Sequence, residues 1–296
     1  MLRFPVSPIR RFTFHLSRFT ESFPNSQFEL RNSQLSAHSL TALRTMSLFS
    51  KKSPPRKPAS GKQKDPVITL AEPKSAVAEA YRTVRTNLQF ANVDQAKKSI
   101  LVTSAGPGEG KSTTVANLGV TMAASGARTL LVDSDLRRPV LHKLFNLPNT
   151  SGLTTILAEK TPPQESIAST RLPSLFVLPS GPLPPNPAEV LSSRRMVEFA
   201  ELVKSNFDLV LYDSPPVISL SDALILSSYV EGVILVVKCG SFPHELIQQA
   251  KAQLEGVKAN FLGILLNSVN FKRDGYYYRY YYDYYSSYYG SQDSAK

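Results

Sequence analysis

Short apolar runs alternate with amphipathic stretches through the middle of the chain. Ile100 to Val102, Thr129 to Val132, Leu175 to Leu178, Leu209 to Tyr212, Gly232 to Lys238 and Phe261 to Asn267 each predict a strand, the first of them buried. Between them the period changes. Val77, Tyr81, Val84 and Leu88 recur at three- and four-residue spacing and predict a helix over Glu72 to Phe90. Further helices are predicted from Ser112 onward, from Ala188 to Lys204 and from Pro243 to Gly256, and a proline-rich loop, Pro179 to Pro187, follows the third strand. The alternation of strand and helix predicts an α/β fold: a doubly wound, mostly parallel sheet with helices on both faces.

The two ends of the chain lack this pattern. Residues 51–64 are rich in Pro, Lys and Ser, and residues 276–289 hold ten of the chain's thirteen tyrosines with no period able to bury them. The expected division is therefore a disordered basic segment over 1–66, a folded domain over 67–271 and an exposed tyrosine-rich tail over 272–296. Met46 opens a second plausible start, Met-Ser-Leu-Phe-Ser-Lys-Lys, so residues 1–45 read either as an Arg-rich, Lys-free transit-like segment or as a start-site artefact.

Charge changes the picture only once it is divided along the chain. The formal net charge is +11, but residues 1–66 carry 12 Lys+Arg against 3 Asp+Glu, which leaves the other 230 residues near neutrality at +2. Composition thus gives no support to nucleic-acid binding by the folded part. Cys239 is the single cysteine, so no intramolecular disulfide forms, and no apolar run reaches the roughly 18 residues that span a bilayer.

The candidate chemistry lies where apolar runs end. After Ile100-Leu101-Val102 comes Thr103-Ser-Ala-Gly-Pro-Gly-Glu-Gly-Lys-Ser-Thr113, a strand-to-helix turn that matches the phosphate-binding P-loop except that Ala105 replaces its first glycine. Gly106, Gly108, Glu109 and Gly110 would wrap a phosphate with backbone amides. Lys111 would bring a cation to the β- and γ-phosphates, Ser112 a hydroxyl to Mg²⁺, and Ser112 and Thr113 open a helix whose dipole favours an anion. The run Thr129 to Val132 ends in Asp133-Ser-Asp135-Leu-Arg137-Arg138, and Leu209 to Tyr212 ends in Asp213-Ser-Pro-Pro. Asp213 is thereby expected to hold Mg²⁺ directly or through water, and Asn267, ending the last strand, is a candidate for reading adenine. Glu79, Arg82 and Arg85, three apart, share one helical face.

These motifs, together with Glu79-Ala-Tyr-Arg82-Thr-Val-Arg85 and Pro179-Ser-Gly-Pro-Leu-Pro-Pro-Asn-Pro187, resemble the bacterial tyrosine autokinases of capsule and exopolysaccharide assembly, over roughly Glu72 to Tyr289. The partition and septum-placement ATPases share the P-loop NTPase fold but carry an extra lysine where this chain has Gly106. The resemblance implies an ATP- and Mg²⁺-dependent protein-tyrosine kinase that phosphorylates its own tail between subunits, at Tyr276, Tyr277, Tyr278, Tyr280, Tyr281, Tyr282, Tyr284, Tyr285, Tyr288 and Tyr289. It implies Asp133 as the base that takes the phenolic proton and Asp135 as metal or base support. It also implies a homo-oligomeric ring with Glu79, Arg82 and Arg85 at its interface, a transmembrane chain-length regulator as activator, an opposing tyrosine phosphatase, and a cytoplasmic position at the inner membrane face through that partner. From another class, a P-loop ATPase switch that binds ATP and a membrane partner without phosphorylating remains the competing expectation.

Overall fold

A computed structural model of the chain describes residues 67–90, 97–159 and 161–269. Its strands are β1 (Ser99–Ser104), β2 (Thr129–Asp133), β3 (Ala168–Ser169), β4 (Leu175–Leu178), β5 (Leu209–Asp213), β6 (Gly232–Lys238) and β7 (Phe261–Asn267). They form one sheet in the order β3-β4-β2-β5-β1-β6-β7, parallel throughout except that the two-residue β3 runs antiparallel to β4 at the edge. Every residue of β1, β2 and β5 is buried. Continuous apolar runs suit these central strands because both faces are covered and no position looks to water.

The helices are α1 (Ile68–Ala71), α2 (Ala76–Phe90), α3 (Lys111–Ala123), α4 (Leu141–Leu144), α5 (Leu153–Glu159), α6 (Pro163–Ser166), α7 (Pro187–Leu191), α8 (Arg194–Asn206), α9 (Asp222–Ser227) and α10 (His244–Gly256). Alternate strand residues feed two cores. Ile100, Val102, Leu131 and Leu211 pack with Val115 and Leu118 of α3, while Leu101, Leu130, Val132 and Leu235 pack with Phe199 of α8, Leu226 of α9 and Leu254 of α10. The period of two along each strand thus divides its side chains between the layers. α1 is pinned onto α3 by Thr69, whose N–H and hydroxyl both donate to Asn117 Oδ1 at 3.0 Å.

Two sequence expectations change in detail. Val77 is 52% exposed and Ala78 takes its place on the buried face of α2, beside Tyr81, Val84 and Leu88, because the contact with α3 follows that register. The predicted helix over Ala188 to Lys204 is two helices: Ser193 is extended at φ −69° and ψ 151°, and its side chain accepts a hydrogen bond from the Met196 N–H to cap α8.

The parallel strands bring their C-terminal ends to one edge of the sheet, where open α/β sheets bind ligands. Asp133 and Asp213 are cross-strand neighbours there. Side chains lace the ends together: the Ser134 hydroxyl donates to Asp213 O, Ser214 to Val102 O and Thr103 to Pro215 O. The proline loop after β4 is clamped by Asn149, whose amide accepts from Gly181 N–H and donates to Gly181 O. Among the described residues no helix is long and apolar enough to cross a membrane. The basic segment 1–66 and the tail 272–296 lie outside the described residues.

Candidate active site

The turn between β1 and α3 has the geometry of a phosphate cradle. Gly108 and Gly110 adopt φ of +78° and +91°, a left-handed conformation that glycine takes without strain. Gly110 leads directly into α3, so the first amides of that helix, which have no intrahelical acceptor, face the cradle. Gly106 is glycine for a different reason. A Cβ there would stand 2.2 Å from the ring of Phe242.

Two residues assigned to nucleotide contact brace the loop itself in this structure. The Glu109 carboxylate is buried and turned inward, where Oε2 accepts the Gly106 N–H at 2.8 Å and Oε1 the Lys238 N–H at 3.3 Å. Asn267 donates from Nδ2 to the Glu109 carbonyl at 2.8 Å. Ser112 and Thr113 begin the helix half-exposed, beside the cradle.

Lys111, Asp133, Asp135 and Asp213 meet behind the loop. Lys111 Nζ bonds Asp135 Oδ2 at 2.9 Å, and Asp135 Oδ1 accepts the backbone N–H groups of Arg137 and Arg138. Asp133 is inaccessible to solvent. Its Oδ2 accepts from Val140 N–H and Leu141 N–H, whereas Oδ1 has no partner. Neither oxygen of Asp213 makes a hydrogen bond of standard geometry, although the Ser112 hydroxyl is its neighbour.

Burial pushes the Asp213 carboxyl up to about 6, against the pull of Lys111 and Ser112. Burial and the Asp213 charge push Asp133 well above the usual carboxylate range, only partly offset by the two α4 amides. Burial draws Lys111 down, but Asp213, Asp135 and Asp133 together outweigh it and leave the ammonium above its ordinary value. One cation faces three carboxylates, and three buried carboxylate oxygens lack partners. A divalent cation fits that surplus of negative charge. Among the described residues no group of three His, Cys, Asp or Glu side chains is arranged to hold a metal unaided. Mg²⁺ takes one or two carboxylates and completes its shell with phosphate and water.

Arg137, which its motif leaves without a role, finds a partner that the sequence does not reveal. The guanidinium clasps the fully buried Asp222 with two bonds, Nε to Oδ2 at 2.8 Å and Nη2 to Oδ1 at 3.0 Å, anchoring the loop that carries Asp135 to the start of α9. Asp222 alone reads as an ordinary first-turn acid, and nothing in the sequence links it to an arginine 85 positions away. Phe242 was missed for the same reason. Arg138 is exposed. On α2, Glu79 and Arg82 pair with each other, and Arg85 donates to the Thr121 carbonyl at 3.3 Å. Tyr276 to Tyr289 lie outside the described residues.

Comparison with known proteins agrees with this geometry. The family described as "AAA domain" matches residues 97–265. "Tyrosine-protein kinase YwqD" of Bacillus subtilis (strain 168) is 43% identical over 225 residues, covering 75% of this chain and 95% of the relative. The crystal structure of the chimerical protein CapA2B2 superposes with a TM-score of 0.67 at 40% identity, over 69% of this chain and 90% of that one. The kinase domain of Escherichia coli tyrosine kinase ETK gives a TM-score of 0.68 at 31% identity, over 71% and 82%.

Proposed function

The chain belongs to the bacterial tyrosine-protein kinases, and from that premise we propose that its P-loop edge transfers the γ-phosphoryl of ATP to tyrosines of its own C-terminal cluster, between subunits, in support of capsular or exopolysaccharide assembly. The observation that carries this reading is the meeting of Lys111, Asp133, Asp135 and Asp213 behind a glycine loop at the C-terminal edge of a parallel sheet. We take residues 67–271 as the catalytic unit.

Phosphoryl transfer depends on position and charge neutralisation more than on covalent help. Gly108, Gly110, Ser112 and Thr113 would offer backbone amides to the phosphates, while Gly106, whose N–H is held by Glu109, would let the loop pass close to them. Lys111 would exchange Asp135 for the β- and γ-phosphates. Ser112 and Asp213, with Asp135 near, would hold Mg²⁺, which when bound neutralises charge on the phosphates. The bond from the γ-phosphorus to ADP breaks, a bond to the phenolic oxygen forms, and the phenolic proton leaves to a carboxylate. A tyrosine with a pKa of about 10 needs such a base at pH 7. By resemblance to the family Asp133 takes this role, and its Oδ1, which has no hydrogen-bond partner, supports that reading. Asn267 would contact the adenine side of the site from the end of β7.

Glu79, Arg82 and Arg85 would face a neighbouring subunit of a ring, a transmembrane chain-length regulator would activate the kinase at the inner membrane face, and a tyrosine phosphatase would reset it. Each phosphotyrosine adds about −1.5 to −2 charge, so a phosphorylated tail would be expelled from its neighbour's site by like charge. The test is mass spectrometry of the full chain after incubation with Mg·ATP. Phosphate on residues 276–289 is expected, and its absence from a protein that binds ATP would leave only a nucleotide switch.

A further inference from the structure

We propose that Phe242 is a positioning residue of the phosphate loop, an inference that rests on the assignment of that loop to ATP. The connection between β6 and α10, Cys239 to Pro243, meets the loop through Phe242, and the ends of β6 and β7 on either side of it brace the loop through Lys238 and Asn267. The Phe242 ring occupies the space of a side chain at position 106: a Cβ on Gly106 would lie 2.2 Å from Cζ, 2.7 Å from Cε1 and 2.8 Å from Cε2. The Gly106 backbone is not left-handed, so the ring and not the dihedral angle requires glycine there. Glu109 ties Gly106 N–H to Lys238 N–H, the last residue of β6. At the other end of the loop Asn267 Nδ2 lies where a Cβ on Gly110 would stand, 2.2 Å away, and Cys239 N–H donates to the Asn267 carbonyl.

The loop needs this outside support. Gly108 has nothing within 4 Å of where its Cβ would be, and three glycines in five positions leave large backbone freedom to lose when phosphate is bound. Polar braces fix Glu109 and its two neighbours in the network. The ring is the apolar contact that closes over Gly106. A loop already shaped before ATP arrives binds it with less entropy lost. Movement of the β6–α10 connection would therefore reach the phosphates through one side chain.

The test compares ATP affinity and steady-state kinetics of the full chain with Phe242→Ala, Phe242→Leu, Gly106→Ala and the double variant Gly106→Ala/Phe242→Ala, at matched melting temperatures. Phe242→Ala is expected to weaken ATP binding about tenfold and to raise KM for ATP in step, with kcat within about twofold, because a loop shaped equally in ground and transition states changes uniform binding. Phe242→Leu should restore most of the loss. Gly106→Ala should lose as much as Phe242→Ala by evicting the ring, and the double variant should lose no more than either single one. ATP affinity of Phe242→Ala within twofold of wild type, or losses that multiply in the double variant, would overturn the positioning role alone. Should Phe242→Ala fail to fold, unchanged affinity in Gly106→Ala overturns it equally. A wild-type chain that does not bind ATP removes the ATP assignment and this proposal with it.

Discussion

The two ends of the sheet treat acidic side chains in opposite ways. At the N-terminal end of the strands Glu231 accepts the Lys98 N–H at 2.6 Å and lies 3.9 Å from Lys204 Nζ, while Asp208 accepts the Arg128 N–H at 2.8 Å. Arg128 in turn stacks over Phe176 and Phe207. Both acids there reach water and have partners. At the C-terminal end Asp133, Asp135 and Asp213 are buried together, and three of their oxygens make no hydrogen bond of standard geometry. A polar recess does exist at the N-terminal end, lined by Lys97, Glu231 and Lys258 among others, but its charges are open to solvent and it holds none of the P-loop chemistry. The difference teaches where the fold keeps its unspent electrostatic energy. A buried carboxylate without a partner destabilises the free protein and becomes an asset when a cation or phosphate arrives.

The comparison breaks most severely if its one central cation is removed. Lys111→Met is expected to cut autophosphorylation on the order of a thousandfold while the chain stays folded, because it removes the cation held at Asp135, which the proposed function directs to the transferring phosphoryl group. Phosphotyrosine over 276–289 measured by mass spectrometry checks this, and retained modification would remove Lys111 from the site.

Next in size is the anchor of the Asp135 loop. Arg137→Met leaves Asp222 fully buried without its guanidinium, which is expected to lower stability by about 3 kcal/mol in urea unfolding. Arg137→Met combined with Asp222→Asn should recover much of that. A loss no larger than a typical surface substitution would show that the pair does not hold the loop.

Asp213→Asn sharpens the comparison by making the functional end resemble the satisfied one. Burial raises this carboxyl from 3.8 to about 6, so the folded chain holds its proton more tightly than the unfolded chain does. The group favours folding fully below about pH 4, and that contribution is lost as pH rises through about 6. The asparagine variant should therefore be more stable than wild type to urea at pH 7, by about 1–3 kcal/mol, with the gap closing toward pH 4, and should lose Mg²⁺-dependent activity. Equal pH dependence in both proteins would contradict burial as the cause of the raised proton affinity of Asp213.

The smallest effect is expected at the other end. Glu231→Gln should change stability by less than about 1 kcal/mol and leave phosphorylation unchanged, since a partly exposed, water-reachable carboxylate contributes little. A substantial loss of activity on that substitution would mean that the two ends are coupled.

Much of the fold was legible because burial on two faces writes itself as a continuous apolar run in the central strands, and the edge strand β7 keeps such a run although Ile264 and Leu266 are exposed. Every run read as a strand is a strand of the sheet, and Gly108, Gly110 and Lys111 stand where their spacing placed them. The antiparallel β3 was not legible, since two residues, Ala168 and Ser169, carry no period. Nor was the break between α7 and α8. It depends on Ser193 choosing an extended backbone to cap the next helix, a choice between two states that serine occupies with similar ease.

By itself the sequence determined the alternation of layers, the phosphate loop and the family, because those rest on local order: a glycine that must turn, a lysine at the head of a helix, an acid at the end of an apolar run. Only the tertiary structure decided which distant groups meet. It set Asp133 beside Asp213 through strand register, turned Glu109 inward as a brace, gave Arg137 to Asp222 and laid Phe242 over Gly106. Each of these depends on where elements far apart in the chain come to rest. Packing fixes those positions with short-range forces between surfaces that the linear order of residues does not record.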